Sequence, residues 1–196
     1  MWSIYERDML ARFPYIGGDK AGGTKNLTET YILVAMGEYL KERGEELERI
    51  GKLMTLAYER RMLRIPKLLR RAAGKMFSDK KLLRYMLTKK DAENTANVAM
   101  YPGSFVTKVR DAPEDGYDFS YHYLVCPLAD FAKRYGYEEY MPYLCNLDYV
   151  MFGVLGVPLF REHTCAEDGY CDFRLKLGVE PMPYDPPVFS QGKGFR

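Results

Sequence analysis

LVCPLADFAKRYGYEEYMPYLCNLDYVMFGVLGVPLFREHTCAEDGYCDFRLKL, residues 124–177, is the stretch on which the fold class turns. Pro127 suits the first turn of a short helix through Leu128, Phe131 and Ala132, and Gly136 closes it. A longer helix is expected from about Glu138 to Leu155, with Gly153 as a point where it can kink. The period then changes to two. Pro158–Thr164 and Tyr170–Leu177 read as the arms of a hairpin around the turn residues AEDG, with Cys171, Phe173, Leu175 and Leu177 on one face and Asp172, Arg174 and Lys176 on the other.

Immediately upstream, Gly103–Arg110 and Tyr117–Cys126 read as a second hairpin around APEDG at 112–116. Strict alternation would put Tyr117, Phe119, Tyr121, Tyr123 and Val125 on one face and Ser120, His122, Leu124 and Cys126 on the other. The first half of the chain is helical in pattern. Apolar residues recur at helical spacing over 2–13, stopping before Pro14. Gly17–Asn26, with its four glycines, reads as a loop. Asn26 and Glu29 form a candidate capping box for a helix reaching Arg43, and Gly44 separates it from a partner helix over Glu45–Arg64. Pro66 falls in the first turn of the next helix, and Ser78 is a candidate N-cap for another ending near Lys90. The expected architecture is α+β: a helical N-terminal half, then an antiparallel sheet of about four strands made of two hairpins with helices inserted between them. It is read as a single domain over 1–196, with a helical layer at 1–95, a cysteine-containing α+β part at 96–178 and an extended proline-rich tail at 179–196.

Composition narrows the function classes. The opening MWSIYERDML has charges where a signal peptide needs an apolar run, and no segment approaches the roughly 18 apolar residues of a membrane span, so a cytoplasmic protein with no membrane partner is expected. Four cysteines in 196 residues are too few for a disulfide scaffold and are expected as thiols, metal ligands or catalytic groups. Residues 60–90 hold twelve basic side chains against Asp79 alone, a local charge of +11 that leaves −9 for the rest. Such a block suits nucleic acid or an anionic surface. Its interleaving with Leu, Met, Ile and Phe favours instead a solvated helix face, or one docked on the acidic half of the same fold, and no nucleic-acid partner is expected.

Chemistry is concentrated in a few side chains. Cys145 and Asp148, three apart on a helix, project from one face as a thiol and a carboxylate; the bland alternative is a buried cysteine beside a solvent-facing acid. Since a carboxylate disfavours a neighbouring thiolate, Asp148 suits a general base, or an anion for a cationic substrate, better than an activator of Cys145. Cys126, at a strand end beside the helix opened by Pro127, is placed for amide dipoles to lower its pKa, with His122 on the same face; a core cysteine is the competing reading. Cys171 reads as core packing, Asp172 and Arg174 as a surface pair or a carboxylate-recognition group, and Cys165 as incidental to its turn. Cys126, Cys145, Cys171 and either His122 or His163 could supply zinc ligands, but no CxxC or HxxxH spacing pairs two of them, and no metal or other cofactor is expected.

The skeleton Cys126, Cys145-x-x-Asp148 and Gly169-x-Cys171-Asp172-Phe173-Arg174 resembles that of the L-2-amino-thiazoline-4-carboxylic acid hydrolase family, over roughly residues 26–178. The resemblance implies a hydrolase that opens a thiazoline ring, converting a cyclic isothiourea to an N-carbamoyl-cysteine-type product. It implies a small-molecule substrate, and a homo-oligomer is compatible with it. On that basis the expected catalytic residues are Cys126, Cys145, Asp148, Cys171 and Asp172, with His122, Arg161 and Arg174 binding substrate. The alternative is a non-catalytic small-ligand or metal-binding module.

Overall fold

The computed structural model describes residues 1–12, 16, 22–110, 112 and 116–191. A short helix α1 (Trp2–Ile4) runs on as a π-helical turn, Tyr5–Leu10, and buries Ile4, Tyr5 and Met9. Four helices follow: α2 (Gly22–Lys41), α3 (Leu47–Leu63), α4 (Lys67–Ser78) and α5 (Lys80–Met100). The sheet and its inserted helices complete the α+β fold: β1 (Val106–Val109), β2 (Phe119–Val125), α6 (Pro127–Tyr135), α7 (Met141–Leu155), β3 (Leu159–Phe160) and β4 (Cys171–Leu175). A 3-10 turn at Glu138–Tyr140 leads into α7, and another at Val188–Gln191 lies in the C-terminal segment.

All four strands are antiparallel, in the order β1-β2-β4-β3. The two hairpins therefore join through β2 and β4, with Tyr121 opposite Phe173, His122 opposite Asp172 and Tyr123 opposite Cys171. Every residue of β4 is buried, so both faces of the sheet are covered there. On the inner face Tyr121, Phe173 and Leu175 pack with Tyr149 and Phe152 of α7, and the Tyr121 and Phe173 rings stack at 4.9 Å. Helix α7 is the central element, buried on this side by the sheet and elsewhere by α3 and α4. Gly51 makes the contact with α3 possible, because a Cβ there would stand 1.9 Å from the Tyr143 ring.

Several local expectations are corrected. Asn26 does not cap a helix; α2 already begins at Gly22, and the Asn26 carbonyl accepts from Thr30 within it. Residues 17–21 of the expected loop, and 113–115 of the APEDG turn, lie outside the described residues. Asp79 rather than Ser78 caps α5, accepting the amides of Lys81 and Leu82 at 3.0 Å, while Ser78 turns its hydroxyl back to Gly74 O. Pro66 stands just before α4 instead of within its first turn. Helix α5 continues past Lys90 to Met100, since no glycine or proline interrupts it, and Asp91 then ties it to β1 by accepting from Thr107 Oγ1 and Val109 N. Helix α7 runs unbroken through Gly153, which makes room for the Tyr184 ring rather than a kink. The tail covers its own body: Asn146 of α7 donates to Tyr184 O and accepts from Val188 N, both at 3.0 Å.

Candidate active site

A cavity of about 500 Å³ opens beside the start of α7, with Cys126, Cys145 and Cys165 in its wall. Cys126 reaches it because of an irregularity in β2. Val106 pairs with Val125 and Thr107 with Tyr123, so Leu124 has no partner of its own, and the extra residue re-aims the end of the strand. This corrects strict alternation: Cys126 turns to the cavity, whereas His122 lies against the Tyr170 ring at 5.5 Å. Cys126 accepts from the amides of Leu128 and Ala129 at the start of α6, as its position predicts, yet burial outweighs them and pushes its pKa up to about 12. Burial also raises Cys145, with Asp148 adding to the effect and Arg161 opposing it. Both are therefore protonated thiols near neutral pH.

Cys165 and Cys171 form a pair. Their sulfurs are 3.4 Å apart, and Cys171 Sγ accepts the backbone N–H of Cys165 at 3.1 Å. Cys165 thus belongs to the site, not only to the turn. Its S–H is also 3.4 Å from Tyr123 O. Contact with the Cys165 side chain lowers the pKa of Cys171, with the Arg161 charge and the Cys165 backbone N–H acting the same way against burial, and the same contact raises Cys165.

One helical turn beyond Cys145, Asp148 Oδ2 accepts from Arg161 Nη1 at 2.8 Å. Arg161 follows β3 and crosses beneath α7. Its Nη2 donates to Cys145 O at 2.8 Å, and its guanidinium carbon lies 5.3 Å from the centres of both the Tyr149 and Phe173 rings. The partners differ in exposure: 1% for the Arg161 side chain and 37% for Asp148. Asp148 is nevertheless densely surrounded. Burial is the largest influence on it and raises its pKa against the lowering effects of Arg161 and Lys90. Its charge is felt by Tyr58 of α3, Lys90 of α5 and Tyr123 of β2. Lys90, half-buried, is lowered chiefly by burial, and its Nζ is 3.5 Å from Tyr123 OH. Asp148 itself is not in the wall of the 500 Å³ cavity, which Cys145 borders.

A family model for the L-2-amino-thiazoline-4-carboxylic acid hydrolases matches residues 25–175, from the first turn of α2 to the last residue of β4. The chain belongs to this hydrolase family. No curated protein and no solved structure matches it. Within this hydrolase, the residues singled out in sequence fall on two sides of the sheet. Cys126, Cys145, Asp148, Arg161 and Cys171 are on the inner side, together with Lys90, Tyr123 and Cys165. Lys90 was hidden in sequence by the basic block around it; its one distinguishing signal is a place directly before Asp91, the anchor of α5 to β1.

His122, Asp172 and Arg174 occupy the outer side. Asp172 Oδ1 accepts the amides of Glu162 and His163, at 3.0 and 2.6 Å, and Oδ2 pairs with Arg174 at 3.0 Å. Arg174 also pairs with Glu162 and lies over the Tyr117 ring at 4.8 Å. These contacts hold the segment after β3 onto β4, away from the thiols. Asp172 and Arg174 are a buried pair here, not the surface pair that alternation suggested. Glu162, His163 and Asp172 are, among the described residues, the only group whose ligand atoms lie close enough for a shared metal ion. The amides and Arg174 already occupy Asp172, so this group does not fit a metal. No described helix is long and apolar enough to cross a membrane.

Proposed function

We propose that this hydrolase opens a small cyclic amidine of the 2-aminothiazoline-4-carboxylate type, with Asp148 as general base toward water. The observation that carries the reading is the state of Asp148: a carboxylate raised by burial, still reached by water, and fixed through one oxygen by Arg161. A raised carboxylate is a stronger base than an ordinary one, and fixation aims its other oxygen. Water adds at the carbon between nitrogen and sulfur. Its oxygen becomes the ureido carbonyl, the carbon–sulfur bond breaks, and the leaving sulfur takes a proton.

Arg161 in this scheme is a positioning residue, since both terminal guanidinium nitrogens are engaged with Asp148 and the Cys145 carbonyl. The cation for the substrate carboxylate is Lys90, whose partial desolvation strengthens such a pair. Cys126 and Cys145, held as thiols, line the neighbouring cavity and do not attack. The test is release of free thiol from 2-aminothiazoline-4-carboxylate and related cyclic amidines by the wild type, Asp148→Asn and Cys126→Ser. Turnover lost in Asp148→Asn and retained in Cys126→Ser is expected. No turnover of any such compound removes the hydrolytic reading, and binding without turnover leaves a non-catalytic pocket.

A further inference from the structure

The cavity wall contains a reactive pair that the proposed hydrolysis does not use. Cys165 lines the cavity and is partly exposed; Cys171 is buried behind it at the start of β4. Their sulfurs are 3.4 Å apart, and the segment between them is a compact turn. Thr164 O accepts from the amides of Glu167 and Asp168 at 3.2 and 2.8 Å, and Thr164 N donates to Asp168 at 3.0 Å. The turn holds the two sulfurs at a separation that small side-chain rotations can shorten to the disulfide length of about 2.05 Å. A long backbone closure is not needed.

We propose that Cys165 and Cys171 are a modification site for hydroperoxides, which convert the dithiol reversibly to a disulfide in the wall of the cavity. The chemistry balances without a cofactor. The Cys171 sulfur attacks one oxygen of hydrogen peroxide, the oxygen–oxygen bond breaks, and hydroxide leaves and takes up a proton as water. Cys171 is then a sulfenic acid. Cys165 attacks that sulfur, the sulfur–sulfur bond forms, and the sulfenic oxygen leaves as a second water with the remaining thiol proton. Two electrons pass from the dithiol to the peroxide, and a dithiol reductant returns them. The division of roles follows from geometry: the Cys165 backbone N–H donates to Cys171 Sγ at 3.1 Å, a contact that stabilises negative charge there, while Cys165 stands adjacent to resolve it. Cys126 and Cys145 line the same cavity but are held protonated, so oxidation is selective within the four thiols.

Oxidation removes the S–H of Cys165 from the Tyr123 carbonyl, 3.4 Å away, and draws the sulfur toward β4. The wall formed by Thr164, Cys165, Ala166 and Glu167 moves with it.

The experiment treats the full chain with hydrogen peroxide, alkylates remaining thiols and digests with trypsin. Cleavage after Arg161 and Arg174 places Cys165 and Cys171 in one peptide, 162–174, separate from Cys126 and Cys145. The expected result is loss of two hydrogens and no alkyl label in that peptide, with Cys126 and Cys145 still labelled and dithiothreitol restoring both labels. In Cys165→Ser, Cys171 should instead proceed to the sulfinic acid. Labelling of Cys165 and Cys171 after peroxide, or a bridge from either to Cys126 or Cys145, overturns the proposal. A mapped disulfide in a protein that turns over no cyclic amidine in either state supports this inference and counts only against the hydrolytic reading.

Discussion

Separating Asp148 from Arg161 should cost unequal amounts depending on which partner is removed. In Asp148→Ala a guanidinium only 1% exposed keeps its charge and its bond to Cys145 O but loses the Asp148 carboxylate. Stranding a buried charge in this way costs about 3–5 kcal/mol. For a chain of this size that corresponds to a fall in melting temperature of about 6–20 °C. In Arg161→Met the apolar stem still packs between Tyr149 and Phe173, and the group left behind is a carboxylate with 37% of its side chain exposed. Water or a proton can compensate it, so the loss is nearer that of ordinary hydrogen bonds, about 1–2 kcal/mol. The variants also differ in pH dependence. Arg161 lowers a carboxyl that burial raises, so removing it raises the folded-state pKa of Asp148 further above its unfolded value. The folded state then holds a proton that the unfolded chain has lost. The relative stability of Arg161→Met is thus highest below the unfolded pKa of about 3.9, declines as pH rises through the folded value, and is flat beyond it. Urea unfolding from pH 4 to pH 8 reads both effects. Equal losses for the two variants, or a smaller loss for Asp148→Ala, would refute the argument that Arg161 is the buried member and Asp148 the accessible one.

Lys90→Met should leave stability at pH 7 unchanged or improved, because Lys90 is lowered by burial and its charge is unfavourable in the fold until pH approaches the unfolded pKa of about 10.4; if it binds the substrate carboxylate, KM rises far more than kcat falls. Asp79→Ala removes the acceptor for two amides at the start of α5 and should cost about 1 kcal/mol by thermal unfolding, with Asp79→Ser recovering most of it. Gly51→Ala places a Cβ 1.9 Å from the Tyr143 ring and should destabilise by about 1–3 kcal/mol or more through separation of α3 from α7, a cost that Gly51→Ala with Tyr143→Leu should partly relieve. Asp172→Asn should lower the melting temperature while leaving the pH profile of any turnover in place, since Asp172 secures the outer face of β4 and not the thiol side.

Local signals carried the elements through the second half of the chain, because punctuation and period agreed there. Pro127 and Gly136 bound α6 as expected, Gly136 adopting the left-handed conformation its position calls for, and the alternation of Cys171 with Phe173 and Leu175 gave the inner face of β4 directly. The errors arose where one residue decides the outcome. The unpaired Leu124 reverses the facing of Cys126 and so separates it from His122, and nothing in the residue types around it marks that bulge. Ser78 and Asp79 are adjacent and both competent caps; the hydrogen bonds, not propensity, choose between them. Lys90 illustrates a different limit. Twelve basic residues in a window look alike in sequence, and only the docking of α5 on β1 brings Lys90 toward Tyr123 and Asp148.

The distribution of charge around the thiols bears on how such a site would work. A cysteine nucleophile needs a cation or several donors at its own sulfur to exist as thiolate. Arg161, a fully buried guanidinium, gives hydrogen bonds to Asp148 and to the backbone carbonyl of Cys145. Two amides meet the Cys126 sulfur and are still insufficient against burial. Cys171, whose pKa is lowered by its contact with Cys165, faces Cys165 rather than lining the cavity. The charged groups of the inner side therefore gather about a partly exposed carboxylate, with Arg161 bonded to one oxygen and the Lys90 charge nearby. Such an arrangement favours base-assisted attack by water over a thioester-like or isothiourea intermediate on the enzyme. On this reasoning substitution of Cys126 or Cys145 by serine alters packing and affinity, whereas substitution of Asp148 removes the chemical step.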